Sequence, residues 1–131
     1  MQFCQIKETC LYVSNLEATK QFYFKKLGLE LISYVKDNHV FFRVGTSVLL
    51  CFLPEVTKKK NHLPPHYGSG QIHLAFEVKV NEYEQWKNRI KSLNIPIEHE
   101  EEWNKGLKSF YFRDPDDHLL EIVQIGMWER A

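Results

Sequence analysis

The sequence predicts an α+β fold built from two copies of one module, each with the order strand, helix, strand, strand, strand. This order occurs before residue 54 and again after residue 70. The two halves also align as an internal duplication, at a spacing of 65 residues from Glu8 to His73 and 71 residues from Leu50 to Glu121. Between them, Pro54–Gly70 has no periodicity and contains three prolines and two glycines, which is typical of a linker or loop.

The first module is predicted over about residues 5–53. Ser14-Asn15 supplies suitable N-cap residues for a helix from about Leu16 to Leu27, and Gly28 is a natural stop after it. Alternating apolar residues and turn signals such as Asp37-Asn38 and Gly45-Thr46 divide the rest into strands. The predicted strands are Ile6–Val13, Leu29–Lys36, His39–Val44 and Ser47–Leu53.

The second module is predicted over about residues 71–125. Asn81 is expected to cap a helix that continues to Leu93. Asp114-Pro115-Asp116-Asp117 predicts a tight turn, because proline fixes φ and aspartate side chains bond to nearby backbone. The predicted strands are Gln71–Val78, Ile97–Glu101, Leu107–Arg113 and His118–Gln124.

Length and composition predict one ordinary globular domain over residues 1–131. The chain is 44% hydrophobic and 26% charged, and its 17 basic and 17 acidic residues give a formal net charge of zero. A general nucleic-acid binder needs a basic surface, so this class is excluded. No apolar stretch is long enough to span a bilayer and no signal-peptide pattern occurs, so the expectation is a cytoplasmic protein without a membrane partner.

Three ionisable side chains occupy corresponding places on three predicted strands. By strand alternation, Glu8, His73 and Glu121 each lie on the face away from the most aliphatic side chains. A carboxylate within an apolar strand is costly to bury unless a partner is present. The sequence therefore predicts that these three side chains meet. A pair between Glu8 and protonated His73, or a proton shared by Glu8 and Glu121, would satisfy this requirement.

The three cysteines, His118 and the two linker histidines are predicted to have structural roles or to be exposed to solvent. Cys4, Cys10 and Cys51 lack metal-type spacing and lie in apolar segments, so they are expected to be buried free thiols. Alternation places His118 on the side facing the helices, in a structural role. The linker histidines, His62 and His66, are expected to be exposed.

Four motifs together carry a family resemblance that covers nearly the whole chain. They are residues 9–16 leading to Phe22-Tyr23, Leu27-Gly28-Leu29, His73-Leu74-Ala75-Phe76, and residues 111–116 leading to Leu120-Glu121. The sequence resembles the vicinal oxygen chelate superfamily: glyoxalase I, extradiol dioxygenases, fosfomycin-resistance thiol transferases and bleomycin-resistance proteins. The resemblance implies two βαβββ modules that form an open, cup-shaped mixed sheet with helices outside.

The resemblance also implies a metal site, with one ligand from the first and one from the fourth strand of each module. The four slots fall on Glu8, Leu50, His73 and Glu121. The first slot departs from the usual histidine, and Leu50 cannot bind a metal, so Glu8, His73 and Glu121 remain as metal ligands. One imidazole and two carboxylates suit Zn²⁺, Mn²⁺, Fe²⁺ or Mg²⁺. The fold also occurs without metal in the bleomycin-resistance relatives.

Other residues are predicted to line the cup and contact a small-molecule substrate. Arg43 and Arg113 either clamp an anionic substrate or pair with turn aspartates such as Asp114 and Asp116. For Trp103 and Trp128, core or interface packing is favoured over lining of the pocket mouth. The predicted substrate-binding residues are Tyr12, Phe41, Arg43, Phe52, Ser109, Tyr111 and Arg113.

The function implied is a metal-dependent enzyme with lyase, isomerase or dioxygenase chemistry on a small oxygen-bearing substrate. Glu8 and Glu121 are the candidate catalytic residues, acting as general base. The alternatives are a metal-free binding protein of the bleomycin-resistance type and a thiol transferase resembling the fosfomycin-resistance enzymes. Many relatives of this size are homodimers with shared sites, so Glu8 is expected to approach His73 and Glu121 of the other subunit.

Overall fold

A computed structural model describes residues 1–59 and 62–130 of the chain. It divides into two compact units, one ending at Gly70 and the other beginning at Gln71. Each unit contains one four-stranded sheet with both parallel and antiparallel pairs. The predicted α+β class with two βαβββ modules is confirmed. No helix in the described ranges is long and apolar enough to cross a membrane.

The sheet of the first unit has the strand order β1-β4-β3-β2. Its first strand pairs with its last in parallel, and the other neighbours are antiparallel. A short helix that the sequence did not predict occupies part of the linker. The elements are β1 (Glu8–Tyr12), α1 (Leu16–Lys20) continued by a π-helical turn (Gln21–Lys26), β2 (Glu30–Val35), β3 (His39–Val44), β4 (Ser47–Phe52) and α2 (Pro54–Lys58).

The sheet of the second unit repeats this topology in the order β5-β8-β7-β6. Again the first and last strands of the module are parallel. The elements are β5 (His73–Val78), a 3₁₀ turn (Val80–Glu82), α3 (Tyr83–Ser92), β6 (His99–Glu102), a 3₁₀ turn (Asn104–Gly106), β7 (Lys108–Arg113) and β8 (Leu119–Gln124).

Strand registers place corresponding residues of the two units at equivalent positions. Leu50 pairs with Cys10, two residues after Glu8, and Glu121 pairs with Ala75, two residues after His73. Leu50 therefore holds in the first sheet the register position that Glu121 holds in the second. A leucine at this position gives the first unit no carboxylate there.

The core of each unit lies on the sheet face that carries the helix. In the second unit, Phe110 and Phe112 are fully buried, and the Phe110 ring contacts Tyr83 of α3 at a centroid distance of 5.4 Å. In the first unit, fully buried Phe42 contacts Tyr23 at 5.5 Å. Each such side chain stabilises the fold by roughly 1.5–3 kcal/mol through burial. The polar residues at alternate positions are thereby directed to the opposite face.

The observed helix ends can be compared with the capping and stop residues that the sequence predicts. The Asn15 Oδ1 atom accepts a hydrogen bond from the Ala18 N–H at 2.9 Å, as predicted. Gly28 follows the helix with φ of 79°, so the predicted stop is confirmed. The predicted Asn81 cap is wrong, because Asn81 lies inside the 3₁₀ turn and α3 begins at Tyr83 without a side-chain cap.

Replacing Tyr83 by Phe should lower the free energy of unfolding by about 1 kcal/mol at neutral pH. The buried Tyr83 hydroxyl donates to Glu100 Oε2 at 2.7 Å, and Lys87 Nζ donates to the same carboxylate at 2.9 Å. The Lys87 hydrogen bond, followed by that of Tyr83, holds the pKa of Glu100 below its usual value.

Because the folded-state pKa of Glu100 is depressed, its stabilisation is present above the unfolded pKa and is lost as pH falls through the folded pKa. The effect of Tyr83→Phe should therefore shrink in acid, as measured by urea unfolding at several pH values. Tyr34→Phe is a matched control, since its hydroxyl lies 3.4 Å from exposed Glu17. Equal losses for the two variants at neutral pH would contradict this account.

Candidate metal and ligand site

His73 and Glu121 meet on the second sheet. The His73 Nε2 atom lies 3.2 Å from Glu121 Oε1. His73 begins β5, and the parallel register places it beside Leu119, two residues before Glu121 on β8. The Glu121 side chain is 12% exposed, whereas that of His73 is 48% exposed. A nearly buried carboxylate thus faces an imidazole that remains accessible from outside.

The orientation of the His73 ring is fixed by its second nitrogen. The Nδ1 atom lies 2.8 Å from the Leu119 backbone carbonyl, which can only accept, so Nδ1 carries the proton and donates. Such a bond to a carbonyl is the usual support for a metal-binding histidine. Without a second ring proton, the Nε2 lone pair would face the Glu121 carboxylate, and two acceptors at 3.2 Å require a cation or a proton between them. The pair therefore fits a divalent metal or an imidazolium.

Glu8, the third predicted ligand, lies exposed at the start of β1 in the first unit. Within one chain, the described residues contain no group of three or more His, Cys, Asp and Glu side chains placed to hold a metal. The second unit therefore supplies two donors at one place. Glu8 as the third donor stays a prediction.

A cavity of about 480 Å³ lies in the second unit beside this pair. Its polar members include Glu121 and the predicted substrate contact Tyr111. Trp103 and Trp128 also line it. Core packing is wrong for both tryptophans, because they are 44% and 87% exposed, and interface packing stays a prediction. The lining residues are Ala75, Trp103, Asn104, Lys105, Tyr111, Glu121, Val123, Met127 and Trp128.

A polar chain connects the cavity wall to Glu121. The Trp103 indole N–H donates to Ser109 Oγ at 2.9 Å, and Ser109 is fully buried. Burial is the largest effect on Tyr111 and raises the pKa of its hydroxyl, whereas a hydrogen bond from Ser109 lowers that pKa. The charge of Glu121 and a hydrogen bond to its carboxylate raise the pKa further. Tyr111 consequently stays neutral at physiological pH and directs its hydroxyl hydrogen to Glu121.

Both predicted arginines are engaged by carboxylates from neighbouring strands or segments. The Arg43 Nε atom lies 2.6 Å from Glu30 Oε2, its cross-strand partner on β2. Arg113 donates to both oxygens of Glu98, at 2.8 and 3.0 Å, and to the Asp117 carbonyl. The alternative of bonding to turn aspartates is confirmed in part, because Arg113 bonds to the backbone carbonyl of Asp117 in the predicted turn. Asp114 instead accepts from the backbone N–H groups of Asp116 and His118, which confirms the predicted turn.

The aromatic residues predicted for the first unit form one cluster there. Phe41 and Phe52 lie 5.3 Å apart, and the Tyr12 hydroxyl lies 2.6 Å from His66 Nδ1. His66 is therefore half-buried rather than exposed as predicted, whereas His62 is exposed. A Cβ atom on Gly68 would lie 2.8 Å from the Tyr12 ring, so this part of the linker needs glycine to pass the ring.

Two further predictions, for His118 and for the cysteines, have different outcomes. His118 is 2% exposed and its Nδ1 accepts from the Ile72 N–H at 3.1 Å, which confirms a structural role. No disulfide joins the three cysteines, and only Cys51 is buried. Cys10 is half-buried and Cys4 is exposed, so the prediction of buried thiols is wrong for Cys4.

Sequence reasoning missed Lys105 and its neighbours as cavity residues. The signal for a special backbone was present, because Asn104-Lys105-Gly106 is a turn sequence just before a strand. The Trp103 backbone N–H donates to the Leu107 carbonyl at 2.7 Å, and this hydrogen bond closes the loop that contains Lys105. No sequence periodicity reports that closure.

Comparisons with known proteins agree on the family of this chain. A family model described as the Glyoxalase/Bleomycin resistance protein/Dioxygenase superfamily matches residues 5–122. The crystal structure of a lactoylglutathione lyase from Agrobacterium tumefaciens superposes with a TM-score of 0.94, at 34% identity over 99% of this chain and 100% of that one.

Two curated relatives are transferases. The metallothiol transferase FosB of Staphylococcus haemolyticus is 28% identical over 111 residues, or 84% of this chain and 76% of that protein. The glutathione transferase FosA of Serratia marcescens is 29% identical over 115 residues, or 86% of this chain and 74% of that protein.

Proposed function

Because the chain belongs to the Glyoxalase/Bleomycin resistance protein/Dioxygenase superfamily, we propose that it is a metal-dependent lyase or isomerase for a small oxygen-bearing substrate. The observation that carries this proposal is the contact between His73 Nε2 and Glu121 Oε1 at 3.2 Å, with Nδ1 donating to a carbonyl. That arrangement leaves one imidazole and one carboxylate directed at a common point. Glu8 is proposed as the third metal ligand.

The three proposed ligands suit Zn²⁺, Mn²⁺, Fe²⁺ or Mg²⁺. When bound, such an ion supplies Lewis acidity that polarises a substrate oxygen. Glu8 or Glu121 is proposed as the general base, which would take a proton from one substrate atom and return it to another. Tyr111 orients the Glu121 carboxylate through its hydroxyl, and its pKa, raised chiefly by burial, keeps that hydroxyl protonated.

The substrate is proposed to occupy the cavity in front of Tyr111 and Glu121. Of the residues predicted from sequence, Tyr111 lies in its lining. Ser109 supports Tyr111 from the buried side. Tyr12, Phe41 and Phe52 remain proposed substrate contacts from the first unit. Arg43 and Arg113, which already hold carboxylates, are proposed to contact substrate only through their remaining N–H groups.

Turnover of lactoylglutathione, the compound in the name of the lyase relative, tests the proposal. The full chain should act on it when loaded with one of the candidate metals, and chelation should remove the activity. His73→Ala should lower kcat/KM by roughly 100-fold or more, because a metal ligand is lost. The matched control is His99→Ala, since His99 forms an exposed pair with Glu101 at 2.9 Å outside the cavity lining.

Activity of His73→Ala equal to that of His99→Ala would contradict the proposal. Thiol transfer to fosfomycin in place of lactoylglutathione turnover would move the chain to the transferase reaction class, which the 28% identity to FosB favours. Cleavage of a catechol ring would instead identify the oxygenase class. Lactoylglutathione turnover, thiol transfer and ring cleavage would all use the same proposed metal ligands and would differ in the substrate.

The second candidate is a metal-free binding protein for an aromatic ligand. The direct distance of 3.2 Å between His73 and Glu121 favours it, since an imidazolium would satisfy both atoms without a metal. The aromatic lining of the cavity also suits such a ligand. Tight binding of an aromatic compound by protein that retains no divalent metal would support this candidate.

The proposed assembly is a homodimer with shared sites, in which Glu8 of one subunit approaches His73 and Glu121 of its partner. Two observations support it: the second unit presents only two of the three donors, and Glu8 is exposed on its own unit. An isologous dimer would then contain two equivalent sites.

A further inference from the structure

We propose that the substrate carries a flat aromatic group and an anionic group, with Lys105 binding the anion and Trp103 and Trp128 contacting the ring. The inference rests on the proposed function in one respect, which is that the cavity of the second unit is the substrate site. It goes further by naming the substrate class from the chemistry of the cavity wall.

The backbone holds Lys105 in an unusual conformation at the cavity. Its φ is 67°, in the left-handed region that residues other than glycine seldom occupy, and Gly106 follows at 72°. The Trp103 backbone N–H closes the loop onto Leu107, and the Trp103 side chain bonds to Ser109. Strained residues persist only where their surroundings fix them, and they cluster at ligand sites. The loop therefore fixes the backbone from which the Lys105 side chain extends at the cavity.

The charge of Lys105 is available to a ligand. It is the only basic residue in the cavity lining, and no carboxylate among the described residues forms an ion pair with it. By contrast, Lys87 is paired with Glu84 and Glu100. Glu121 is the acidic residue of the wall and would repel an anion, so the anionic group is directed to Lys105.

The two tryptophans supply uncovered aromatic surface beside this charge. Trp128 is 87% exposed and Trp103 is 44% exposed, although both line the cavity. Large aromatic side chains gain most from covering by a flat ring, which stacks or packs edge-on against them. With Val123, Met127 and Ala75 completing the apolar wall, the cavity favours an aryl group over a sugar or a small polar acid.

Calorimetric binding of matched probes to the full chain tests this inference. The protein is first treated with a chelator, so that a carboxylate cannot bind through a metal. Phenylacetate carries both groups, phenylacetamide lacks the charge, and cyclohexylacetate lacks the aromatic ring. Phenylacetate should bind roughly three- to tenfold more tightly than either of the others, as expected for one accessible ion pair and one aromatic contact.

Three variants assign the preferences to residues. Lys105→Met should remove the preference for phenylacetate over phenylacetamide, whereas Lys91→Met, on the exposed face of α3, should leave it unchanged. Trp128→Leu should reduce the preference for the aryl over the cyclohexyl acid. Equal affinities for the three probes, or a charge preference that survives Lys105→Met, would overturn the inference.

Metal content measured on the same preparations before chelation keeps this test separate from that of the proposed function. Lys105→Met should retain metal like the wild type. If no preparation binds metal but the probe preferences follow Lys105 and Trp128, the proposed function fails and the substrate class stands. If metal is retained and the preferences are absent, the substrate class fails alone. If probe binding weakens as the protein concentration rises, Trp128 is covered by a second copy of the chain. That result would also overturn the inference.

Discussion

Mixing a Glu8→Ala chain with a His73→Ala chain should restore metal binding that neither variant has alone. In the proposed homodimer, Glu8 of one subunit completes the site that contains His73 and Glu121 of its partner. A mixed dimer then holds one site with all three ligands and one site that lacks two of them. If subunits exchange freely, mixed dimers are half of the population, so about a quarter of all sites should regain metal.

The measurement is the metal-to-protein ratio after the two chains are unfolded together, refolded and passed over a desalting column. Each variant refolded alone is the baseline. A mixture of Glu8→Ala with His99→Ala is the matched control, because His99 lies outside the cavity lining. Half of its sites should be intact whether sites are shared or lie within single chains, so it calibrates refolding and metal loading. No gain in the Glu8→Ala and His73→Ala mixture would show that each chain builds its site alone.

Strand alternation predicted the faces of β5 and β8 that carry His73 and Glu121, whose side chains meet in the structure. A strand directs successive side chains to opposite faces, so the aliphatic positions of β8 and β5 fixed where Glu121 and His73 had to point. Leu50 occupies the corresponding position in the first unit. It pairs with the residue two positions after Glu8, just as Glu121 pairs with the residue two positions after His73. These features depend on neighbours along the chain, and the sequence contains them directly.

Contacts between distant segments were harder to predict. Glu30 and Arg43 are 13 residues apart, Glu98 and Arg113 are 15 apart, and Tyr12 and His66 are 54 apart. Each pair depends on strand register or on the path of the linker, which composition does not specify. The arginines were therefore predicted to bind either a substrate or nearby aspartates.

The loop that contributes Trp103 and Lys105 to the cavity wall was not predicted, for a different reason. Trp103 and Lys105 lie in a loop whose conformation includes two successive residues of positive φ, at Lys105 and Gly106. Such loops are set by closing bonds, here from Trp103 to Leu107 and to Ser109. A turn sequence indicates that the chain bends but does not indicate where a side chain within the turn will point.

His73→Ala should abolish retention of a divalent metal while changing the free energy of unfolding by no more than about 1 kcal/mol. The His73 side chain is 48% exposed and its Nδ1 atom bonds to the Leu119 carbonyl, so little packing is lost. Water can replace the lost imidazole beside the Glu121 carboxylate, which keeps its hydrogen bond from Tyr111. Elemental analysis of purified variants and urea unfolding measure the two effects, with His99→Ala as the matched histidine control.

X-ray absorption by the wild-type chain loaded with Zn²⁺ tests the metal assignment most directly, because it reports the donor atoms. One imidazole together with carboxylate oxygens at roughly 2.0–2.2 Å is expected, and the imidazole signal should vanish in His73→Ala. His99→Ala should keep the wild-type spectrum. A wild-type spectrum without an imidazole, or one that His73→Ala leaves unchanged, would contradict a metal held by His73 and Glu121.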